Sequence, residues 1–158
     1  MRWREAGITL IEMLVVVSII AVAAAIAYPS VNSGVDSLRL TSAADSIVSF
    51  LNGALVRADR RQELAEVTIS RAERALILRA QDPSYVRRME LPEGITIVRV
   101  HPAQLAGNEE QDRSFIFYPG GSVPRIAIEI QNRRGARRLV QVDPITGSPR
   151  VSVPEQRP

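Results

Sequence analysis

The chain has 158 residues, a formal net charge of +3 at pH 7 and no cysteine, which allows one modest globular core and one further helix. Disulfides, thiolate metal sites and thiol nucleophiles are thereby excluded. Every basic residue is arginine, and the small charge excess does not by itself mark a nucleic-acid binder.

Met1 to Gly7 is a short leader carrying Arg2 and Arg4. Ile8 to Ala27 is an apolar run of twenty residues, enough to cross about 30 Å of hydrocarbon as a helix. Its single ionisable group is Glu12. A charge at mid-bilayer costs about 2.5–3.5 kcal/mol, so an acid in such a segment signals function. A secretory signal peptide would offer a small-residue site at Ala25-Ile26-Ala27, but the run is long for one and an acid is out of place there. A plain signal anchor would let Glu12 reach the interface. Neither accounts for Gly7 immediately before the run. Arg2 and Arg4 orient the N-terminus to the cytoplasm and the remainder across the membrane.

Pro29 is expected to end or kink the spanning helix, because it lacks an N–H and crowds the preceding turn. Ser30, Asn32, Ser33 and Gly34 are poor helix formers. Apolar residues then return at helical spacing: Val35, Leu38, Ala44, Ile47, Leu51, Leu55 and Ala58. Asp36, Arg39, Asp45 and Asp59 fall on the opposite face, and the amphipathic helix is predicted to reach about Arg61.

From Leu64 the period changes to two. Strands are predicted around Leu64 to Ile69, Ala75 to Arg79, Val86 to Leu91 and Gly94 to Val100, with a polar turn over Arg71 to Arg74. His101 to Asp112 reads as a polar, acidic loop. The last third reads as a strand ladder. Ser114 to Tyr118 leads through a Pro119-Gly120-Gly121-Ser122 turn into Arg125 to Gln131, followed by Arg137 to Val142 and an edge strand from Pro149 to Val153. The fold class is therefore α+β, a long N-terminal helix packed on antiparallel sheet.

Two stretches resemble known families. Gly7-Ile8-Thr9-Leu10-Ile11-Glu12 resembles the processing and assembly motif of type IV pilins and the pseudopilins of type II secretion, with Ile8 where the family usually has phenylalanine. Phe117-Tyr118-Pro119-Gly120-Gly121-Ser122, the strand Ile126 to Ile130, the hairpin through Gly135 and Val142-Asp143-Pro144-Ile145-Thr146-Gly147 resemble the C-terminal half of the GspH/FimT family of minor pseudopilins and minor type IV pilins.

The resemblance implies a leader over residues 1–7, a transmembrane helix half over 8–29, a periplasmic amphipathic half over 30–61 and a two-sheet β head over 62–158. It further implies cleavage after Gly7 by a prepilin peptidase, N-methylation of Ile8, and assembly with other major and minor pseudopilins on an inner-membrane platform. The expected role is that of a type II secretion pseudopilus subunit; the alternative is a minor type IV pilin that binds DNA during transformation. In either role the chain sits in a bacterial inner membrane with a single pass and a periplasmic head. Cleavage creates an α-amine with an ordinary pKa near 8. In axially staggered helices that cation can face Glu12 of a neighbour, an attraction that grows as the dielectric falls.

Other chemistry is poorly supported, so no catalytic residue, metal or cofactor is expected. His101, the only histidine, lies beside Pro102 and reads as solvated. The run Asn108 to Asp112 lacks the alternating ligands and tight-turn glycine of a calcium loop. Arg133, Arg134, Arg137 and Arg138 form the only basic cluster, for which phosphate contact is the functional reading. Strand alternation would split Arg137 and Arg138 between faces, and no aromatic interleaves for base stacking. A solvated edge that discourages strand aggregation is the reading adopted, and nucleic acid is not expected as a partner.

Overall fold

The computed structural model describes residues 9–102, 112–120 and 123–154, with backbone alone for 26–33. The leader, Ile8, most of the acidic loop, Gly121, Ser122 and the tail from Glu155 lie outside the described residues. The chain separates into two compact units, Met1–Val35 and Asp36–Pro158, and helix α1 (Leu10–Arg61) contributes to both. Of the two outcomes expected at Pro29, an end does not occur, since the helical assignment runs through it. A proline inside a helix removes one hydrogen bond and crowds one turn, and the strong helix formers Ala23, Ala24 and Ala25 precede this one.

In the first unit Leu10, Ile11, Leu14, Val17, Ile19, Ile20 and Val22 are all exposed, so this part of α1 has no core of its own. Among the described residues no helix is long and apolar enough to cross a membrane. The described side chains of the expected span stop at Ala25, whereas a crossing takes about 20 apolar residues.

In the second unit α1 buries Leu40, Ala43, Ala44, Ile47, Phe50, Leu51, Ala54 and Ala58. The steps of three and four place them on one face. The predicted stripe holds at Ala44, Ile47, Leu51 and Ala58 but begins too early, because Val35 is 39% and Leu38 71% exposed. At 3.6 residues per turn Leu38 lies about 160° around the helix from Leu40, on the solvent side. The helix closes with Gln62 in the left-handed region and Glu63 N–H donating to the Ala58 carbonyl, a Schellman-type end that satisfies a terminal acceptor.

Eight strands follow: β1 (Ala65–Ser70), β2 (Ala75–Ala80), β3 (Val86–Glu90), β4 (Ile95–His101), β5 (Arg113–Phe117), β6 (Ala127–Asn132), β7 (Arg137–Val142) and β8 (Pro149–Ser152). They form two antiparallel four-stranded sheets, in the orders β3-β2-β1-β5 and β4-β6-β7-β8. This is the expected α+β, pilin-like fold with two sheets. The predicted ladder of the last third needs one correction. β5 pairs with β1, Ala65 opposite Phe117, whereas β6 lies between β4 and β7 in the other sheet. Pro119 and Gly120 therefore begin a crossover, not a hairpin turn. His101 is likewise the exposed last residue of β4 and not part of a loop.

One hydrophobic cluster takes α1 from Leu40 to Ala58, β1 and β2 of the first sheet, and β4, β6 and β7 of the second. The sheets share no ladder among the described residues, but arginines bridge them. Arg71 Nε donates to the Ile97 carbonyl at 3.2 Å, and Arg113 Nη1 donates to the carbonyls of Val100, at 2.9 Å, and Pro102. These acceptors belong to β4 and the residue after it, and β4 is the outermost strand of its sheet. The head is thus held by more than its core.

The turn between β7 and β8 rests on Asp143. Its Oδ1 accepts from the amides of Ile145 at 2.8 Å and Thr146 at 3.2 Å. These bonds, the Ile145 one foremost, hold the carboxyl below the ordinary carboxylate value, with Arg150 adding to them. Gly147 closes the turn at φ 72°, where a Cβ would come within 3.0 Å of Val123 and 3.2 Å of Leu55. Asp82 is lowered in the same way, first by the Ser84 hydroxyl and then by its amide.

Two expectations follow. Leu51→Ala should cost about 2–5 kcal/mol of unfolding free energy, whereas Leu38→Ala should stay within about 0.5 kcal/mol, both by urea denaturation. In acid, the unfolded Asp143 and Asp82 take up protons near pH 3.9 while the folded carboxylates still resist. The unfolded state therefore binds more protons, and stability falls as pH drops through that window towards the lower folded values. Asp143→Asn keeps a turn acceptor but does not titrate; unfolding curves between about pH 2 and 4 should show a shallower acid dependence for it than for wild type.

Candidate functional site

Two places in the chain carry the residues singled out by sequence. The first is the start of α1. Gly7 and Ile8, the predicted cleavage pair, lie outside the described residues. Thr9 stands just before the helix, and its Oγ1 accepts from the Glu12 amide at 3.3 Å while its carbonyl accepts from Met13 N at 3.2 Å. Thr9 is thus an N-cap, and Thr9-Leu10-Ile11-Glu12 has the spacing of a capping box. This local role of Thr9 was available in the T-x-x-E spacing but was not extracted from it. Glu12 sits in the first turn with its carboxylate exposed, where the partial positive charge of the helix start favours an anion. A cap of this kind fixes how far along the helix the acid sits. Pro29 lies within α1, and the backbone alone is described there.

The second place is the β6–β7 hairpin. Asn132 organises it: its Oδ1 accepts from the amides of Arg134 at 3.0 Å and Ala136 at 2.9 Å, while its backbone N–H donates to the Ala136 carbonyl. Gly135 takes φ 84°, as a type I turn followed by a left-handed residue requires.

The four arginines around this turn do not form one patch. Arg134 Nε meets Asp36 Oδ2 of α1 at 3.0 Å, and Asn132 Nδ2 donates to the Asp36 carbonyl. Arg137 Nη1 donates to Glu129 Oε1 at 2.9 Å and its Nε to Gln131 Oε1 at 3.1 Å. Arg138 donates to the Arg137 carbonyl. Arg133 lies across Gly94, where a Cβ would come within 2.8 Å of its Nε. Arg137 stands opposite Gln131 and Arg138 opposite Ile130, so the two side chains leave opposite faces of the sheet.

Glu129 is the unexpected member of this group. It is a charged residue with only 7% of its side chain exposed, covered by Arg137, itself 46% exposed. An acid between two isoleucines in a strand gives no hint of a partner until the β6–β7 register is known. Among the described residues no group of three or more histidines and acids could hold a metal ion.

Residues 4–28 match the prokaryotic N-terminal methylation motif. No curated protein and no solved structure gives a match to the chain.

The hairpin geometry ranks its arginines. Arg137→Ala leaves the Glu129 carboxylate buried without its cation and should cost about 1–3 kcal/mol. Arg134→Ala breaks a more exposed pair and should cost less than about 1 kcal/mol. Urea denaturation of both variants, and of Glu129→Gln with Arg137→Ala, checks the order; the double change should recover part of the loss.

Proposed function

We propose that this chain is a minor pseudopilin of a type II secretion system. It is cleaved after Gly7, anchored in the bacterial inner membrane by the first half of α1, and added to a short periplasmic filament that helps export folded proteins across the outer membrane. The N-terminal methylation motif indicates a type IV pilin-like or pseudopilin protein. Such a motif implies processing by a prepilin peptidase, membrane anchoring and assembly with other pilin-like subunits. The observation that carries the reading is the pairing of that motif with an α+β head of two antiparallel sheets behind the same helix.

In this reading the new α-amine at Ile8 and the carboxylate of Glu12 are the assembly pair. The Thr9 cap holds Glu12 in the first helical turn, so the acid stands at a fixed rise from the amine of its own chain. A neighbour displaced along the filament axis brings its amine level with that acid, and each charge loses an unsolvated state. Processing comes first, because the cation does not exist before cleavage.

The structural role is favoured over DNA binding by the hairpin. Arg134 and Arg137 already face Asp36 and Glu129, so a phosphate would have to displace a carboxylate at each.

The mature protein extracted from membranes should begin at Ile8 by N-terminal sequencing, with intact mass reporting its methylation. Gly7→Ala should retain the leader. Glu12→Ala should be cleaved normally but recovered poorly in sheared filaments. A mature chain that still carries residues 1–7, or that begins at Tyr28, would overturn the reading.

A further inference from the structure

The first sheet ends in β3, which among the described residues pairs only with β2 and has no strand on its outer edge. Ala80 N donates to the Tyr85 carbonyl, and Leu91 N donates to the Arg74 carbonyl at 2.8 Å. The odd-numbered residues of β3 therefore turn their backbone groups towards β2, and by alternation those of Val86, Arg88 and Glu90 turn towards the open edge. Their side chains lie on the outer face, where Arg88 is held by Glu73 at 2.8 Å and Glu90 at 2.9 Å.

The side chains of Arg87 and Met89 leave the opposite face, towards α1. With Leu38, Ser42, Asp45 and Phe50 they line a groove of about 600 Å³ between the helix and the strand edge. Arg87 sits with its guanidinium 5.7 Å from the centroid of the Phe50 ring. Unlike Arg88, it has no acidic partner among the described residues. That separation is within cation–π range and leaves the guanidinium exposed to an arriving anion. Leu38, 71% exposed, supplies an uncovered apolar wall. The groove's polar floor is partly self-satisfied, since the hydroxyls of Thr41 and Ser46 donate to carbonyls of their own helix.

We propose that this groove accepts an extended segment of a partner protein, added as a fifth strand beside β3. Its backbone would bond to Val86, Arg88 and Glu90, and it would carry a carboxylate against Arg87. Main-chain bonds supply affinity in this mode, and pockets for alternate side chains supply selectivity. Arg87 and Met89 are two residues apart on one face of β3, so their cross-strand neighbours are two apart as well. The partner chemistry is thus an acid and an apolar residue separated by one position, in a strand without proline. This surface belongs to the head alone and is independent of cleavage or of Glu12.

The absence of native cysteine permits a site-specific test on the full-length protein in detergent micelles. Ser49→Cys, in the groove, carries an environment-sensitive dye; Thr96→Cys, in the second sheet, is the control. The probe is a nonapeptide alternating threonine and valine, with a central glutamate in place of one valine and a valine two positions further on. A saturable change at the Ser49 position with none at the Thr96 position is expected. Arg87→Glu should weaken binding at least tenfold, and a peptide with lysine in place of the glutamate should restore it in that variant. That exchange shows that the variant is folded. The proposal is overturned if no saturable change occurs, or if charge reversal on either side leaves affinity unaltered. It also fails if Arg87→Val self-associates while the peptide does not bind wild type, since Arg87 then only guards an edge.

Discussion

Two sheets without a common ladder depend on a single helical face. Leu40, Ala43, Ala44, Ile47, Phe50, Leu51, Ala54 and Ala58 are the part of α1 that both sheets must share. Half of those positions are alanine, and the alanines are essentially inaccessible to solvent. Phe50, Ile47 and Leu51 fill the space between these small side chains and the strands, as close packing demands. Each sheet could bury its apolar face only against a common partner, so the helix is the element on which both are organised. Its other side carries Leu38, Asp45 and Ser49, which line the groove beside β3.

The same helix has a second half under a different constraint. From Leu10 to Val22 its large apolar side chains are exposed, and contiguous apolar surface of that kind is stable only when something outside the chain covers it. On the reading proposed above, lipid and neighbouring helices provide that cover. One helix then serves two environments, and the division falls near the boundary of the two compact units, Val35 to Asp36. Asp36 is where the hairpin grips the helix, through Arg134 and Asn132. The grip is made by polar groups, as it must be at the exposed start of the head's helix face.

Much of this was legible from the residues. The apolar run, Gly7 and Glu12 stand in the sequence without any fold, and the change of period at Leu64 marks where helix gives way to strands. All eight strands fall on predicted segments, because hydrophobic alternation is a local signal. What was not legible was pairing. Pro119-Gly120-Gly121-Ser122 has the composition of a hairpin turn, yet β5, the strand before it, pairs with β1, more than forty residues earlier in the chain. Composition shows where a chain bends and not which edge it next meets. The stripe on α1 was misplaced at its start for a related reason. Val35 and Leu38 look like core until Leu40 and Ala43 are seen to point the other way, and alanine carries little weight in a hydrophobic count. The pair Glu129–Arg137 was hidden likewise: it is a cross-strand contact that exists only in one register.

The arginines then acquire a meaning that composition alone did not give them. A chain with no cysteine cannot staple two sheets together covalently, and β4 is an edge strand that would otherwise present unpaired carbonyls. Arg71 and Arg113 supply donors there. A guanidinium offers several N–H groups in a fixed plane, so one side chain can hold two carbonyls at once, as Arg113 does with Val100 and Pro102. The same planarity lets Arg57 lie 3.4 Å from the centroid of the Tyr85 ring while its Nε meets Glu63 at 2.8 Å. A lysine ammonium, a compact and strongly hydrated point charge, matches neither geometry. Arg57, Arg71 and Arg113 thus spend their donors and planar faces on the edges and rings of this head. Arg87, near Phe50 and in no ion pair among the described residues, lies beside Arg88, whose charge is already met by Glu73 and Glu90.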